Sequence, residues 1–350
     1  MLSGRGELVS VVLAGSWRRS IAPLAVSPDA LAAIVPLLVG MGAGGLAWWR
    51  LRDSPLATSH AGLELRQAYR LQTLEVRLHE RRIVQAFDIL RAAGIEPLLA
   101  KGWAAAQLYP QPALRPYGDV DLWVAPHQRG RAVEALSSPE GQRCRVDLHT
   151  DFPLLGRSYD EMRERSRLVR LAGIDVRILG AEDHLALLCV HMLGHGAWRA
   201  VWLCDIAAAV ESLPADFDRA RCVPRDPRRA RWVACAVGLS RELLGARVSD
   251  RIAVAAPLPG WLPAAVLGQW AREEHYMHTP SMAFAFRNPR LLPRALRLRW
   301  PNALQATVEL GGPFNAAPRL PFQVAGCVWR IAAFARRLPY RVDATAGAGA

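Results

Sequence analysis

The feature of this sequence that most constrains its fold is a change in hydrophobic period at Gly94. Residues 63–93 carry apolar side chains at helical spacing, so they predict one long helix that ends before this glycine. The predicted apolar stripe of that helix consists of Ala68, Leu71, Leu74, Leu78, Val84, Phe87 and Leu90. After Gly94, short apolar runs separated by Pro and Gly predict strands instead. This change of period favours a sheet packed against helices.

Five short segments downstream of Gly94 are the predicted strands of one compact α/β unit. They are residues 95–100, 120–124, 143–149, 168–171 and 174–179, of which the last two predict a hairpin. From Ala181 onward the pattern is helical again. We therefore predict an α+β fold in which helical regions flank a small mixed sheet with its own helices. The predicted divisions are 1–94, 95–180, 181–342 and a disordered tail at 343–350.

The first fifty residues raise the question of a membrane span. Residues 1–28 show no clear periodicity, whereas residues 30–49 contain no charged side chain and are long enough to cross a bilayer. Pro36 and four glycines interrupt this run, which favours one or two short buried helices and a Gly-rich turn. A membrane partner is therefore not our expectation, although Trp48 and Trp49 beside arginines keep the alternative open.

Charge and cysteine content bound the class of partner and the compartment. The formal net charge is +13, and residues 281–350 carry ten arginines against two acidic residues. Such a surface suits an anionic partner, but aromatic residues there are too few for a nucleic-acid stacking platform, so a solvated or membrane-facing surface is favoured. The six cysteines are scattered without a C-x-x-C pair, which argues against a zinc ribbon and a disulfide framework and predicts the cytoplasm.

Lys101 is the only lysine among 44 basic residues, and Gly102 follows it directly after the first predicted strand. An ammonium is a compact, rotatable point charge, whereas a guanidinium is a rigid planar fork. Gly102 at the start of a short helix leaves room for a phosphate to approach backbone N–H groups. The pair therefore predicts a phosphate-binding position in which Lys101 supplies a cation to the phosphate or to a leaving group.

Asp119 and Asp121 lie two residues apart on the second predicted strand, so their side chains project from the same face. Neighbouring carboxylates repel unless a cation lies between them, and hard oxygen ligands suit Mg²⁺ or Mn²⁺. Asp147, within Val146-Asp147-Leu148-His149 on the third predicted strand, is the candidate for a third carboxylate. Three such carboxylates can hold two metal ions for in-line transfer at a triphosphate.

Together these motifs resemble the nucleotidyltransferase superfamily with a polymerase-β-like palm, and in particular its uncharacterised bacterial nucleotidyltransferases. The family pattern is a Lys-Gly after a strand, a Tyr-Pro, an Arg-Pro, an Asp-x-Asp-x-x-Val and a later Asp/Glu-Leu-His. The matching residues here are Lys101-Gly102, Tyr109-Pro110, Arg115-Pro116, Asp119 to Val124 and Asp147-Leu148-His149. A helical segment with Glu182-Asp183, His191, His195, Trp198, Trp202 and Asp205 is also similar to the helical half of the family.

The resemblance implies a metal-dependent transferase that moves a nucleoside monophosphate from an NTP, ATP among them, to a hydroxyl or phosphate of an unknown acceptor. It implies Asp119, Asp121 and Asp147 as catalytic metal ligands for Mg²⁺ or Mn²⁺. It also implies Lys101 with Gly102 as the phosphate-binding residues. The acceptor is left open as a small molecule, a peptide or RNA.

Four alternatives remain open from sequence. Arg115 could contact a phosphate or brace its loop, and His149 could contact the nucleotide or support Asp147. His191 and His195 share a helix face and could bind a metal ion. Because no Glu follows the first histidine in an H-E-x-x-H pattern, a packed histidine pair is favoured over a metal site. Only 26 residues separate Asp121 from Asp147, so a binding or accessory protein with an impaired site is the alternative function.

Overall fold

The computed structural model describes residues 2–20, 23–252, 257–273 and 287–332. Its sheet has five strands in the order β3-β2-β1-β5-β4. The strands are β1 Leu98–Leu99, β2 Val120–Trp123, β3 Val146–His149, β4 Arg167–Leu171 and β5 Ile174–Ile178. β2 pairs antiparallel with β1 and parallel with β3, while β1 is parallel to β5 and the β4–β5 pair is the antiparallel hairpin. The predicted α+β class and its mixed sheet are confirmed.

Helices precede, interrupt and follow the sheet. Those before it are α1 Leu2–Leu13, α2 Pro28–Ala32, α3 Val35–Gly40, α4 Gly44–Leu51 and α5 His60–Ala92. Those within the palm are α6 Gly102–Ala106, α7 Arg129–Leu136, α8 Pro139–Arg143 and α9 Tyr159–Glu164. Those after it are α10 Ala181–Gly194, α11 Ala200–Glu211, α12 Arg219–Cys222, α13 Pro227–Leu244, α14 Trp261–Trp270, α15 Leu292–Arg299, α16 Ala303–Glu309 and a helix at residues 320–332, here α17.

The sheet lies between two apolar cores. Val120 and Leu122 of β2 pack into one core with the second half of α5. Trp123, on the opposite face, belongs to the other core, which contains most of α10 and α11. Because side chains alternate along a strand, Asp121 shares the face of Trp123 and is directed toward α10 and α11. The fold therefore places the predicted carboxylates between the sheet and the helical half.

The N-terminal segment differs from its prediction. Residues 2–13, which show no clear periodicity, form helix α1, and it packs against α13 and α14. Gly6 permits a close approach, since a Cβ there would lie 2.2 Å from the carbonyl oxygen of Leu267. The uncharged run at 30–49 is divided among α2, α3 and α4. Within the described ranges, no helix is long and apolar enough to cross a membrane.

The long helix is present, but half of its predicted stripe is wrong. Leu71, Leu74 and Leu78 are exposed, whereas Phe87 and Leu90 are buried as predicted. Between residues 71 and 79 the buried face instead includes two polar residues, Gln72 and His79. Ser59 caps the helix by accepting from the backbone N–H of Gly62, and Gly94 ends it with φ +69°.

Smaller corrections concern the palm. Residues 139–143 form helix α8 where a bare turn and the start of a strand were predicted, so β3 begins only at Val146. Helix α9, which begins at a capping box formed by Ser158 and Glu161, was not predicted. The helices before and after the palm share one apolar core. The boundaries at 94, 180 and 342 stay a prediction, and the tail at 343–350 lies outside the described residues.

A buried ion pair joins the palm to the helical half. Arg115, in the loop before β2, donates from Nη2 to Asp205 Oδ2 of α11 at 2.7 Å and from Nε to the same oxygen at 3.0 Å. The hydroxyl of Tyr109 donates to Asp205 Oδ1 at 2.8 Å, and Arg115 Nη1 donates to the Pro116 carbonyl. Burial, and then the charge of Asp205, raise the pKa of Tyr109 well above its ordinary value, so its hydroxyl remains protonated.

Removing one partner of this pair is expected to destabilise the protein strongly. Asp205→Asn leaves the Arg115 charge buried without a counter-charge, which costs about 3–5 kcal/mol of unfolding free energy. Chemical denaturation measures the change. The matched control is Asp175→Asn, which removes a carboxylate from an exposed pair with Arg170 and is expected to cost about 0–1 kcal/mol. Equal losses in the two variants would contradict the buried role.

His184 on α10 gives the protein a defined acid sensitivity. The ring is buried, and desolvation together with the charges of Arg115 and Arg167 lowers its pKa to about 4. In the unfolded chain the pKa is about 6.5, so the unfolded state binds the proton first as the pH falls. The stability contributed by neutral His184 is therefore complete above pH about 6.5 and lost as the pH falls toward about 4.

The unfolding free energy is expected to fall by about 2 kcal/mol more in the wild type than in His184→Gln between pH 7 and pH 5. Denaturation curves at the two pH values measure this difference. His127→Gln, which changes an exposed histidine, is the control and is expected to keep the wild-type dependence. Identical pH dependence in wild type and His184→Gln would refute the assignment.

Candidate metal and nucleotide site

Parallel pairing of β2 with β3 places the second and third predicted carboxylates directly opposite each other. The register pairs Asp121 with Asp147 and Trp123 with His149. The connection between the strands runs through α7 and α8, which is the helical crossover that a parallel pair requires. Asp147 therefore reaches Asp121 although only 26 residues separate them. Asp121 is largely buried, whereas the Asp147 side chain is 54% exposed.

Lys101 reaches this pair from the end of β1. Its ammonium forms an ion pair with Asp121 Oδ1, and its Nζ lies 5.3 Å from the centroid of the Trp123 ring. The residue has φ 57° and ψ −137°, a conformation that side-chain-bearing residues rarely adopt. Such backbone strain persists only where the surroundings enforce it, and it is concentrated at functional sites. The single lysine thus meets the carboxylate predicted to hold a metal.

His149 completes the cluster from β3. Its Nε2 lies 3.1 Å from Asp147 Oδ2 and 3.4 Å from Asp121 Oδ1. Its ring stacks on Trp123, with centroids 4.2 Å apart, and Trp123 donates from Nε1 to the Asp151 carbonyl at 3.2 Å. Although Nε2 is buried, it makes no hydrogen bond to any described residue. A buried imidazole nitrogen without a hydrogen bond, directed at two carboxylates, is a donor that fits a metal ion.

The residues present therefore fit a divalent cation. One ligand atom from each of Asp121, Asp147 and His149 lies within 4.8 Å of the others. The two carboxylate oxygens suit Mg²⁺ or Mn²⁺, whereas the imidazole nitrogen is a ligand more typical of transition metals. Asp119 is exposed, one residue before β2, and lies outside this cluster of described residues. Its role as a ligand stays a prediction.

Gly102 lies at the start of α6, as predicted, but that helix has only five residues. Its φ is +20°, and a Cβ there would lie 3.5 Å from Tyr117, which packs over it. Only part of a full helix dipole develops over so few peptide units. Phosphate binding at Gly102 stays a prediction, as does the predicted phosphate contact of Lys101.

For Arg115 the structure favours bracing over phosphate contact. All three of its guanidinium nitrogens donate to Asp205 or to the Pro116 carbonyl, and the side chain is 5% exposed. A nucleotide could reach it only after the ion pair with Asp205 broke. We therefore infer that Arg115 positions the loop that enters β2, and its contact with a nucleotide stays a prediction.

His191 of α10 and His195, which directly follows that helix, lie close enough to Lys101 to be influenced by its charge. The rings of His191 and His195 are 4.5 Å apart, and both pack on Trp202 of α11. Desolvation, followed by the charge of Lys101, lowers the pKa of each ring, so both are neutral at pH 7. The packed pair favoured by the sequence agrees with this stacking. Among the described residues, the pair has no third ligand that would make it a metal site.

Trp123 is the site residue that sequence reasoning did not assign. It supports His149 by stacking, lies near the ammonium of Lys101 and stacks on Phe152 at 4.9 Å. The sequence spacing could have identified it, because Trp123 is two residues after Asp121 and therefore shares its strand face. Glu182 and Asp183, which the family resemblance includes, lie in the first turn of α10. Asp183 additionally pairs with Arg157 and Arg165.

Comparison with known proteins identifies the family. The model of a family described as uncharacterised nucleotidyltransferases matches residues 32–151 and 140–245, which together exceed half of the chain. A search of curated proteins found no match, and neither did a search of solved structures. The matched ranges contain Lys101, Asp121, Asp147 and His149. The chain therefore belongs to this family of uncharacterised nucleotidyltransferases.

Proposed function

We propose that the protein catalyses metal-dependent transfer of a nucleoside monophosphate from an NTP to a hydroxyl or phosphate of an acceptor. The observation that carries the proposal is the register of β2 and β3, which sets Asp121 opposite Asp147 beside His149 and Lys101. Family membership supports the reaction class. The acceptor and the preferred base stay outside the proposal.

Asp121, Asp147 and His149 are the residues that would hold the cation. A bound Mg²⁺ or Mn²⁺ would orient the triphosphate and offset the negative charge that develops on it. During transfer, an acceptor oxygen forms a bond to the α-phosphorus, and the bond from that phosphorus to its bridging oxygen breaks. Pyrophosphate leaves with the electron pair. For a hydroxyl acceptor, the Asp147 carboxylate, which is exposed, would take the proton.

Lys101 supplies a second positive charge to the same reaction. Its ammonium pairs with Asp121 beside the electron-rich face of Trp123. Its flexible four-carbon stem would let the ammonium turn from the Asp121 carboxylate to a phosphate oxygen. In that position it would stabilise the charge of the departing pyrophosphate.

The alternative of an impaired site rested on the short segment between Asp121 and Asp147. Because the two residues are opposite each other on neighbouring strands, segment length no longer favours that alternative. A nucleotide-binding protein without transferase activity is therefore an outcome of the tests rather than a second proposal.

Loss of either opposed carboxylate is expected to abolish transfer. We expect Asp121→Asn and Asp147→Asn each to reduce kcat/KM by about a hundredfold or more, because each removes a metal ligand. The measurement is transfer of label from α-labelled NTPs with Mg²⁺ or Mn²⁺ to candidate acceptors. Asp119→Asn tests the remaining ligand predicted from the motif.

Asp175→Asn, on β5 and exposed, is the matched control and is expected to keep wild-type activity. Calorimetric titration with Mn²⁺ provides a readout that needs no acceptor, and the variants at Asp121 and Asp147 should lose affinity there. Wild-type protein that binds Mn²⁺ and NTP but transfers no label to any acceptor would favour the binding-protein alternative. Transfer that survives in Asp121→Asn would refute the assigned site.

Lys101 is expected to act on transfer rather than on metal binding. Lys101→Met should lower kcat/KM by about a hundredfold, and Lys101→Arg by about tenfold, since a planar guanidinium cannot replace the compact ammonium. Mn²⁺ affinity should be kept or increased in Lys101→Met, because Asp121 loses its internal cation. Single-turnover transfer and Mn²⁺ titration separate the two effects. If Lys101→Met lost transfer activity and Mn²⁺ affinity to a similar extent, Lys101 would have a structural role instead.

A further inference from the structure

The last described helix, α17, presents an apolar face that the proposed transfer reaction does not use. Within residues 320–332, every exposed side chain is apolar. Leu320, Val324, Val328 and Ile331 recur at helical spacing, and Trp329 lies beside them. Val328, Trp329 and Ile331 are 62%, 55% and 69% exposed. Monomeric proteins rarely expose a contiguous apolar surface of this kind without a partner.

The opposite face of α17 is firmly attached to the protein. Gln323 Nε2 donates to the Pro301 carbonyl at 2.7 Å, and Arg330 pairs with Glu309 of α16 at 2.9 Å. A Cβ at Gly326 would lie 3.5 Å from Ala306 Cβ, so the helix packs closely on α16. The apolar face is therefore held outward by polar contacts on the inner face.

The part of the chain that contains this face is strongly basic. Residues 287–332 contain seven arginines and one acidic residue, Glu309. The contacts of Pro301 with α17 place the end of α15 beside it, and this end carries Arg297 and the half-exposed Trp300. An exposed apolar stripe with tryptophan and a surplus of arginine has the composition of a helix that lies in a membrane interface. Anionic headgroups complement such a charge.

We propose that the apolar face of α17, with Trp300 and the neighbouring arginines, docks on the surface of an anionic lipid bilayer. Val328 and Ile331 would enter the acyl boundary, while Arg290 and Arg297 would lie at the headgroups. Pairing with a second copy is disfavoured, because a twofold interface brings the same surface of both copies together and with it two basic segments. The proposal is independent of nucleotidyl transfer.

Vesicle flotation of the full chain tests the proposal. The probes are vesicles of phosphatidylcholine alone and of phosphatidylcholine with phosphatidylglycerol. Wild-type protein is expected to float with the anionic vesicles, and Val328→Glu combined with Ile331→Glu should reduce the bound fraction about tenfold or more. Arg290→Glu with Arg297→Glu should reduce it as well, and high salt should reproduce that loss.

The matched control is Leu74→Glu with Leu78→Glu, which places the same charges on exposed leucines of α5 and should bind as wild type. Circular dichroism verifies that each variant is folded. Absence of wild-type binding to anionic vesicles overturns the proposal, as does equal binding by the α17 double variant. A dimer in sedimentation that disappears with Val328→Glu and Ile331→Glu would assign the face to a second copy and also overturn it. NTP transfer by the α17 variants should equal wild type, whether or not docking occurs.

Discussion

The parallel pairing of β2 with β3 is the constraint on which the candidate site depends. Parallel neighbours require a crossover, and α7 and α8 supply one within the segment between Asp121 and Asp147. The crossover helices α7 and α8 pack against α5 on one face of the sheet. The segment that helps to form this core is therefore also the segment that sets the register between β2 and β3. A slip of one residue in this pairing would turn Asp147 toward the core and replace it by an apolar neighbour.

The second constraint is the buried contact between the palm and α11. Arg115, Tyr109 and Asp205 satisfy one another across the boundary, and no charge among the three is left without a partner. The loop that carries Arg115 leads directly into β2, so the ion pair fixes where the strand begins. The position of the carboxylates relative to α10 and α11 therefore depends on an interaction that contacts neither metal nor nucleotide.

Local patterns in the sequence were sufficient for the strands and for the motif residues. Period-two spacing identified the face of Asp121, and the Val-Asp-Leu-His run identified Asp147. What the sequence could not supply was the pairing between distant segments, such as Arg115 with Asp205, ninety residues later in the chain.

The apolar stripe predicted for α5 was partly wrong for a related reason. Between residues 71 and 79 the helix buries Gln72 and His79, and the surface that His79 meets includes Tyr117 from the palm loop, with ring centroids 5.2 Å apart. Helix α1 was missed because it contacts α13 and α14 and so lacks a single apolar stripe.

The single lysine has a consequence for covalent chemistry on this protein. Every other basic side chain in the sequence is an arginine or a histidine, so Lys101 carries the only ε-amino group. Reagents selective for primary amines can react within the chain only at Lys101 and at the α-amino group. In the resting state its nitrogen is engaged in the ion pair with Asp121, which a reagent would have to displace. Acylation at this residue would report directly on whether the Asp121 carboxylate has been released to another cation.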